Sequence, residues 1–148
     1  YNHLIPLYNF RLYESQAAIL LVKLKHLPAW TQSRREVSAL YNQELAGLPL
    51  RLPDAGSAGT KHSFHLYIVA TDRRDDLAKH LARDGIGTGV YYPLPVHLQP
   101  AYKHLGGKLG DLPHTEKASQ SVLALPLYPE LSRDDAARVC RSVREFFS

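Results

Sequence analysis

The chain has 148 residues, 45% of them hydrophobic and 22% charged, with a formal charge of +4 and a single cysteine. Those values describe one ordinary folded domain with enough apolar material for a core, and they exclude a disulfide scaffold, because a lone cysteine has no internal partner. The apolar run at 17–22 falls far short of the roughly 20 residues a membrane span needs, and acidic residues interrupt the basic ones. Neither a membrane nor a nucleic acid is therefore an expected partner, and the cytoplasm is the expected compartment.

A first helix is expected over 11–27, where Leu12, Ala17, Leu20, Leu21, Leu24 and Leu27 recur at helical spacing. Pro28 breaks it and suits the first turn of a second helix, whose buried stripe is Trp30, Val37, Leu40, Tyr41 and Leu45 and whose stop is Gly47. After a short extended stretch and a small-residue turn, "HSFHLYIVA" at 62–70 reads as a strand. The helix "RRDDLAKHLARDG" follows, capped by Thr71 or Asp72 and ended by Gly85. "IGTGVYY" is a second expected strand that runs into a proline-rich stretch, and a short helix around 98–106 comes next. Beyond a glycine-rich turn lie a helix over 114–122, a strand at 123–127 and a last helix over 133–147. Ser132 and Asp135 make a near capping box for that helix, on which Cys140 is a small inert hydrophobe.

Few strands among many helices imply an α/β or α+β fold, a small sheet covered mainly on one face by helices. So small a sheet leaves the long first helix with little to lean on, and part of its packing is expected to come from outside this chain. The absence of methionine points the same way, toward a fragment or a processed product.

His62 and His65 are three apart in the expected strand, which puts them on opposite faces, and no other histidine has ligand spacing; no metal site is expected. "GIGTG" at 85–89 precedes a strand instead of opening a helix, so it lacks the helix N-terminus that phosphate loops use. Lys61 sits beside a flexible segment, without the burial a Schiff-base lysine requires. Two clusters remain. Tyr8, Asn9 and Arg11 precede the first helix, either as donors to a phosphate or carboxylate or as a helix cap with a solvated arginine. In "GVYYPLPVHLQPAY" at 89–102, Pro93 and Pro95 hold the backbone extended, so Tyr91, Tyr92 and His97 are presented with little freedom left to lose. Residue types alone leave that stretch open between a packed aromatic turn and one wall of a binding site.

At these clusters the sequence resembles a known family. "YNFRLYESQAAILLVKLKHL", "HSFHLYIV", "GIGTGVYYPLPVHLQPAYKHLG" and "LALPLYPEL" match, in order and spacing, motifs of the DegT/DnrJ/StrS sugar aminotransferases from about residue 7 to the end. The resemblance implies a fold type I enzyme that uses pyridoxal phosphate to move an amino group from an amino acid, typically glutamate, to a nucleotide-linked keto-sugar. It further implies that residues 1–148 are the C-terminal small domain, with a linking helix near 12–27, and that the large cofactor domain and its lysine have no counterpart here. Asn9 matches an asparagine that reaches the cofactor phosphate of a neighbouring subunit in a homodimer, and Arg11 an arginine that binds the nucleotide-sugar's charge. Tyr91, Tyr92 and His97 match the segment lining the nucleotide-sugar side of the cleft, and no residue of this chain is expected to be catalytic by itself. Leu7 stands where the family usually has glycine, and Tyr91 where it often has histidine. A non-catalytic nucleotide- or sugar-binding module, and a family dehydratase lacking the lysine, are the alternatives that the visible residues leave.

Overall fold

The computed structural model describes residues 12–54, 56 and 59–148. In order they form α1 (Glu14–Leu24), α2 (Leu27–Glu44), β1 (Tyr67–Ala70), α3 (Arg74–Arg83), two short 3-10 turns (Val96–Leu98 and Pro100–Leu105), α4 (Pro113–Ser121), β2 (Val122–Leu125) and α5 (Arg133–Phe147). The strands pair antiparallel, with Tyr67 opposite Leu125 and Val69 opposite Leu123. Both N–H and C=O of Ala70 bond to Arg51 on one edge, and both of Ala124 bond to Gly89 on the other. The ladder thus extends by one residue on each side, and the small helix-covered sheet expected from the sequence is present.

Side chains alternate across a strand, so Tyr67, Val69, Leu123 and Leu125 share one face. That face is buried together with Val37 and Tyr41 of α2, Leu77 and Leu81 of α3, and Ala136, Val139, Cys140 and Val143 of α5. Each helix contributes residues three or four apart, the spacing that brings one stripe to the sheet. Two phenols sit in the middle of this core. The Tyr41 and Tyr67 rings meet edge to face at 4.9 Å, and their hydroxyls donate to Pro126 O (2.9 Å) and Asn42 Oδ1 (2.6 Å). Their polar ends are thereby satisfied without water.

Local signals explain the helix ends. Gly85, at φ 72°, donates to Ala82 O while Ile86 donates to Leu81 O, a Schellman closure whose residues Leu81 and Ile86 are both buried in the core. Ser132 Oγ accepts from Asp135 N and donates to Asp135 Oδ2, so it does cap α5, though Asp135 returns to the hydroxyl rather than to the backbone. At α3 the cap position falls on Arg73, whose N–H is taken by Thr71 Oγ1. The buried Arg74 donates to Ser119 O and Val122 O, capping the carbonyl end of α4 with a cation.

Three expectations change. The strand at 62–70 shrinks to Tyr67–Ala70, because Phe64 turns into positive φ (47°) and His62 Nδ1 accepts from Phe64 N. Residues 61–63 instead accept hydrogen bonds from Arg34 and Arg35 of α2, so His62 and His65 are not on opposite faces of a strand. "IGTGVYY" touches the sheet only at Gly89. The first helix stops at Leu24, and α2 begins at Leu27 with Pro28 in its first turn.

No residue of α1 is buried, and Ile19, Leu20, Leu21, Val22 and Leu24 are all more than half exposed. Of these, Leu20, Leu21 and Leu24 border an open apolar groove of 570 Å³ together with Leu12, Ala17, Leu27 and Trp30. Among the described residues no helix is long and apolar enough to cross a membrane.

Burial raises the Tyr41 and Tyr67 hydroxyls well above the ordinary tyrosine value, and burial followed by the charge of Glu44 pushes the Cys140 thiol up to about 11. Each group is raised on folding, so its contribution is complete below the unfolded value and is lost as pH rises toward the folded one. Resistance to urea should therefore hold to about pH 9 and decline above it, and Cys140→Ala should delay the onset toward pH 10, where unfolded tyrosine begins to ionise. Denaturation midpoints across pH 7–11 measure this; a midpoint that rises above pH 9 contradicts it. Tyr41→Phe, which strands Pro126 O, should cost about 1–2 kcal/mol in the same assay at neutral pH.

Candidate functional site

The segment after Gly89 leaves the sheet at a fixed point. Gly89 N donates to Ala124 O at 3.2 Å and Ala124 N donates to Gly89 O at 2.7 Å. Glycine suits the close approach there, since a Cβ at position 89 would lie 2.8 Å from the Tyr91 ring. Tyr91 and Tyr92, joined by a cis peptide bond, meet edge to face at 5.8 Å and are 38% and 55% exposed. Further along the segment Pro95 and Gln99 are buried, and Gln99 Nε2 donates to Leu94 O. Two exposed aromatic rings thus stand on a backbone anchored at both ends.

His97 faces inward. Its Nε2 lies 3.0 Å from Glu116 Oε1, and its Nδ1 is buried without a hydrogen-bond partner. Glu116, on the first turn of α4, also accepts from Gly110 N (2.9 Å) and Leu112 N (3.2 Å). Burial alone would raise its carboxyl, but those bonds and the nearby His97 outweigh it and hold the group below the ordinary glutamate value. An ionised carboxylate only accepts, so Nε2 carries a hydrogen. The turn at 107–112 lies directly on this pair: a Cβ on Gly107 would come within 2.8 Å of His97 O.

Of the residues singled out by sequence, Tyr91, Tyr92 and His97 share one segment, with the tyrosines outward and the histidine inward. Asn9 and Arg11, with Tyr8, lie outside the described residues. Sequence reasoning passed over Glu116, Gly107 and Gly110; an acid in the first turn of a helix behind a glycine-rich turn was the available signal. On the opposite edge of the sheet a cleft of 540 Å³ is lined by Arg51, Thr71, Asp72, His114 and Lys117 and shares no residue with this wall.

A lysine able to hold pyridoxal phosphate as a Schiff base must be buried enough to lose its proton. All seven lysines of the chain, Lys61 included, are exposed, so these residues do not fit covalent attachment of that cofactor. One group of metal-ligand type exists among the described residues, His80, Asp84 and Glu145. There His80 Nε2 is engaged with Ser142 O at 3.0 Å and Asp84 accepts from Ser142 Oγ, contacts that join α3 to α5.

Comparison with known proteins gives this arrangement its context. The pattern of the DegT/DnrJ/EryC1/StrS aminotransferase family matches residues 1–144. The chain belongs to that family. It is 44% identical to a dTDP-3-amino-3,4,6-trideoxy-alpha-D-glucose transaminase of Streptomyces venezuelae, over 99% of this chain and 38% of the relative. It is equally similar, 44%, to a "pleiotropic regulatory protein" of Geobacillus stearothermophilus, across 99% of this chain and 40% of that one. Among solved structures it matches S. venezuelae DesV in complex with a ketimine intermediate, at TM-score 0.89 and 44% identity, covering 93% of this chain and 37% of the other. A DegT DnrJ EryC1 StrS aminotransferase from Brucella abortus matches at TM-score 0.84 and 34% identity, over 93% of this chain and 36% of that one. The chain therefore spans about 40% of the length of the family members it resembles.

Two glycine substitutions separate the contacts of this segment. Gly107→Ala meets backbone that cannot swing aside and should cost about 1–3 kcal/mol, whereas Gly89→Ala meets a ring that can, and should cost less while shifting the Tyr91 ring resonances. Urea unfolding and NMR of the aromatic region measure both, and Tyr91→Ala combined with Gly89→Ala should recover most of the loss.

Proposed function

We propose that this chain is the C-terminal part of a pyridoxal-phosphate-dependent aminotransferase that moves an amino group from an amino acid, glutamate first among candidates, to a nucleotide-linked keto-sugar. The observation that carries the reading is 44% identity, along 99% of the chain, to an enzyme named as a dTDP-amino-sugar transaminase. A relative from Acidithiobacillus ferrooxidans is named as a 3-aminotransferase of a UDP-linked 3-dehydro sugar and one from Aneurinibacillus thermoaerophilus as a transaminase of a dTDP-linked 3-amino sugar, which makes a hexose carrying its keto group at C3 the substrate to try first. When bound, pyridoxal phosphate would supply the amino-transfer chemistry; the lysine and most of the cofactor's contacts belong to the remaining length of the relatives. Asn9 is assigned to the cofactor phosphate across a homodimer interface, and Arg11 to the negative charge of the sugar nucleotide.

This chain's own part is recognition. Tyr91 and Tyr92 offer ring faces to the sugar nucleotide from an anchored segment, so binding immobilises little that is not already fixed. The exposed apolar side of α1 suits a linking helix that faces the cofactor-binding part. One relative of equal identity is named for regulation and not for catalysis, and the second reading is accordingly a non-catalytic module that binds a nucleotide or sugar.

In the complete enzyme, Tyr91→Ala and Tyr92→Ala should each weaken sugar-nucleotide binding by about tenfold, the scale of one lost aromatic stacking contact, with the absorbance of the bound cofactor unchanged. Calorimetric titration beside an absorbance spectrum separates the outcomes; loss of cofactor absorbance with binding preserved would reverse the assignment. Formation of 2-oxoglutarate from glutamate, dependent on a dTDP- or UDP-linked 3-keto sugar, distinguishes the transaminase from the binding module.

A further inference from the structure

The wall is held from behind by one carboxylate. Glu116 is only 8% exposed, and a charge so placed is costly unless its lone pairs are used. Here they are used: one bond comes from His97 and two from backbone N–H groups of the 107–112 turn. Those donors come from separate stretches, since His97 lies 19 residues before Glu116, while Gly110 and Leu112 lie six and four before it. A single side chain thereby ties the aromatic segment and the glycine turn to the start of α4.

We propose that Glu116 is a positioning residue for the nucleotide-sugar wall, acting through His97 to hold the path of residues 91–98. The proposal rests on the recognition role assigned above to Tyr91 and Tyr92. Two observations favour positioning over direct contact. With Nε2 committed to Glu116 and Nδ1 buried, neither nitrogen of His97 is offered to a ligand. The carboxylate is likewise engaged by three donors of its own chain, His97, Gly110 and Leu112, and is mostly buried. The glycine turn runs close against the His97 backbone, where a Cβ on Gly107 would lie 2.8 Å from His97 O. The tyrosines contact the ligand, and His97 and Glu116 decide where the tyrosines stand.

The test uses the complete enzyme, with dTDP-glucose and UDP-N-acetylglucosamine as probes, in wild type, Glu116→Gln, His97→Ala and the double variant. Glu116→Gln keeps the side chain's shape but removes its charge. Each single change and their combination should weaken probe binding by a similar factor, about tenfold, because both break one link; in turnover with the dTDP- or UDP-linked 3-keto sugar, kcat should stay within about twofold while KM rises. Glu116→Gln that binds like wild type while Tyr91→Ala and Tyr92→Ala bind weakly overturns the positioning role and leaves the recognition role standing. Losses that multiply in the double variant also overturn it, since they make the two residues independent. Tyrosine variants that bind like wild type, or wild type that binds neither probe, overturn the recognition role and the positioning role with it. Long-range proton–nitrogen NMR of His97 reads the link without any substitution, so the proposal stays testable if Glu116→Gln fails to fold. A hydrogen on Nε2 is expected, and a bare Nε2 would overturn the proposal.

Discussion

Eight residues of antiparallel ladder support everything else in this structure. β1 and β2 carry only four residues each, yet both are hydrogen-bonded on two sides, through Ala70 to Arg51 and through Ala124 to Gly89. One face of this narrow ribbon supplies the floor on which α2, α3 and α5 close, and one edge supplies the point from which the aromatic segment departs. A ribbon of two short strands is marginal by itself, so the helices and the ladder stabilise each other. The paired phenols Tyr41 and Tyr67 sit where helix and ribbon meet, and their satisfied hydroxyls let aromatic bulk fill that junction without stranding a polar group.

Helices were the most legible part of the sequence, because their ends are written in single residues. Gly85 closes α3, Ser132 opens α5 and Pro28 marks the start of α2, each by a local rule that needs no knowledge of the fold. Strand lengths were not legible. β-branched and apolar residues at 62–70 suggest a longer strand than forms, since Arg34 and Arg35, nearly thirty residues away, claim the carbonyls of 61–63 for α2. "IGTGVYY" has strand-like composition, but after one ladder contact at Gly89 the chain turns off toward Pro93.

The candidate wall divides in the same way. Tyrosines flanked by prolines announce a presented aromatic surface, and that much could be read directly. That His97 turns inward could not, because its partner is set by three-dimensional neighbours and not by spacing. Glu116 looks like any acid in the first turn of a helix, where it would be credited with interacting with the helix dipole. Only the fold shows that its oxygens gather donors from two other stretches.

The close approach at Gly89 also bears on how this segment can change over generations. The missing Cβ at position 89 and the ring of Tyr91 occupy one shared volume, so neither residue can be judged alone. Shrinking position 91 first releases position 89 to accept a side chain, whereas the reverse order obliges the Tyr91 ring to move. Change along this edge is therefore ordered, with the aromatic residue free to change first and the glycine following.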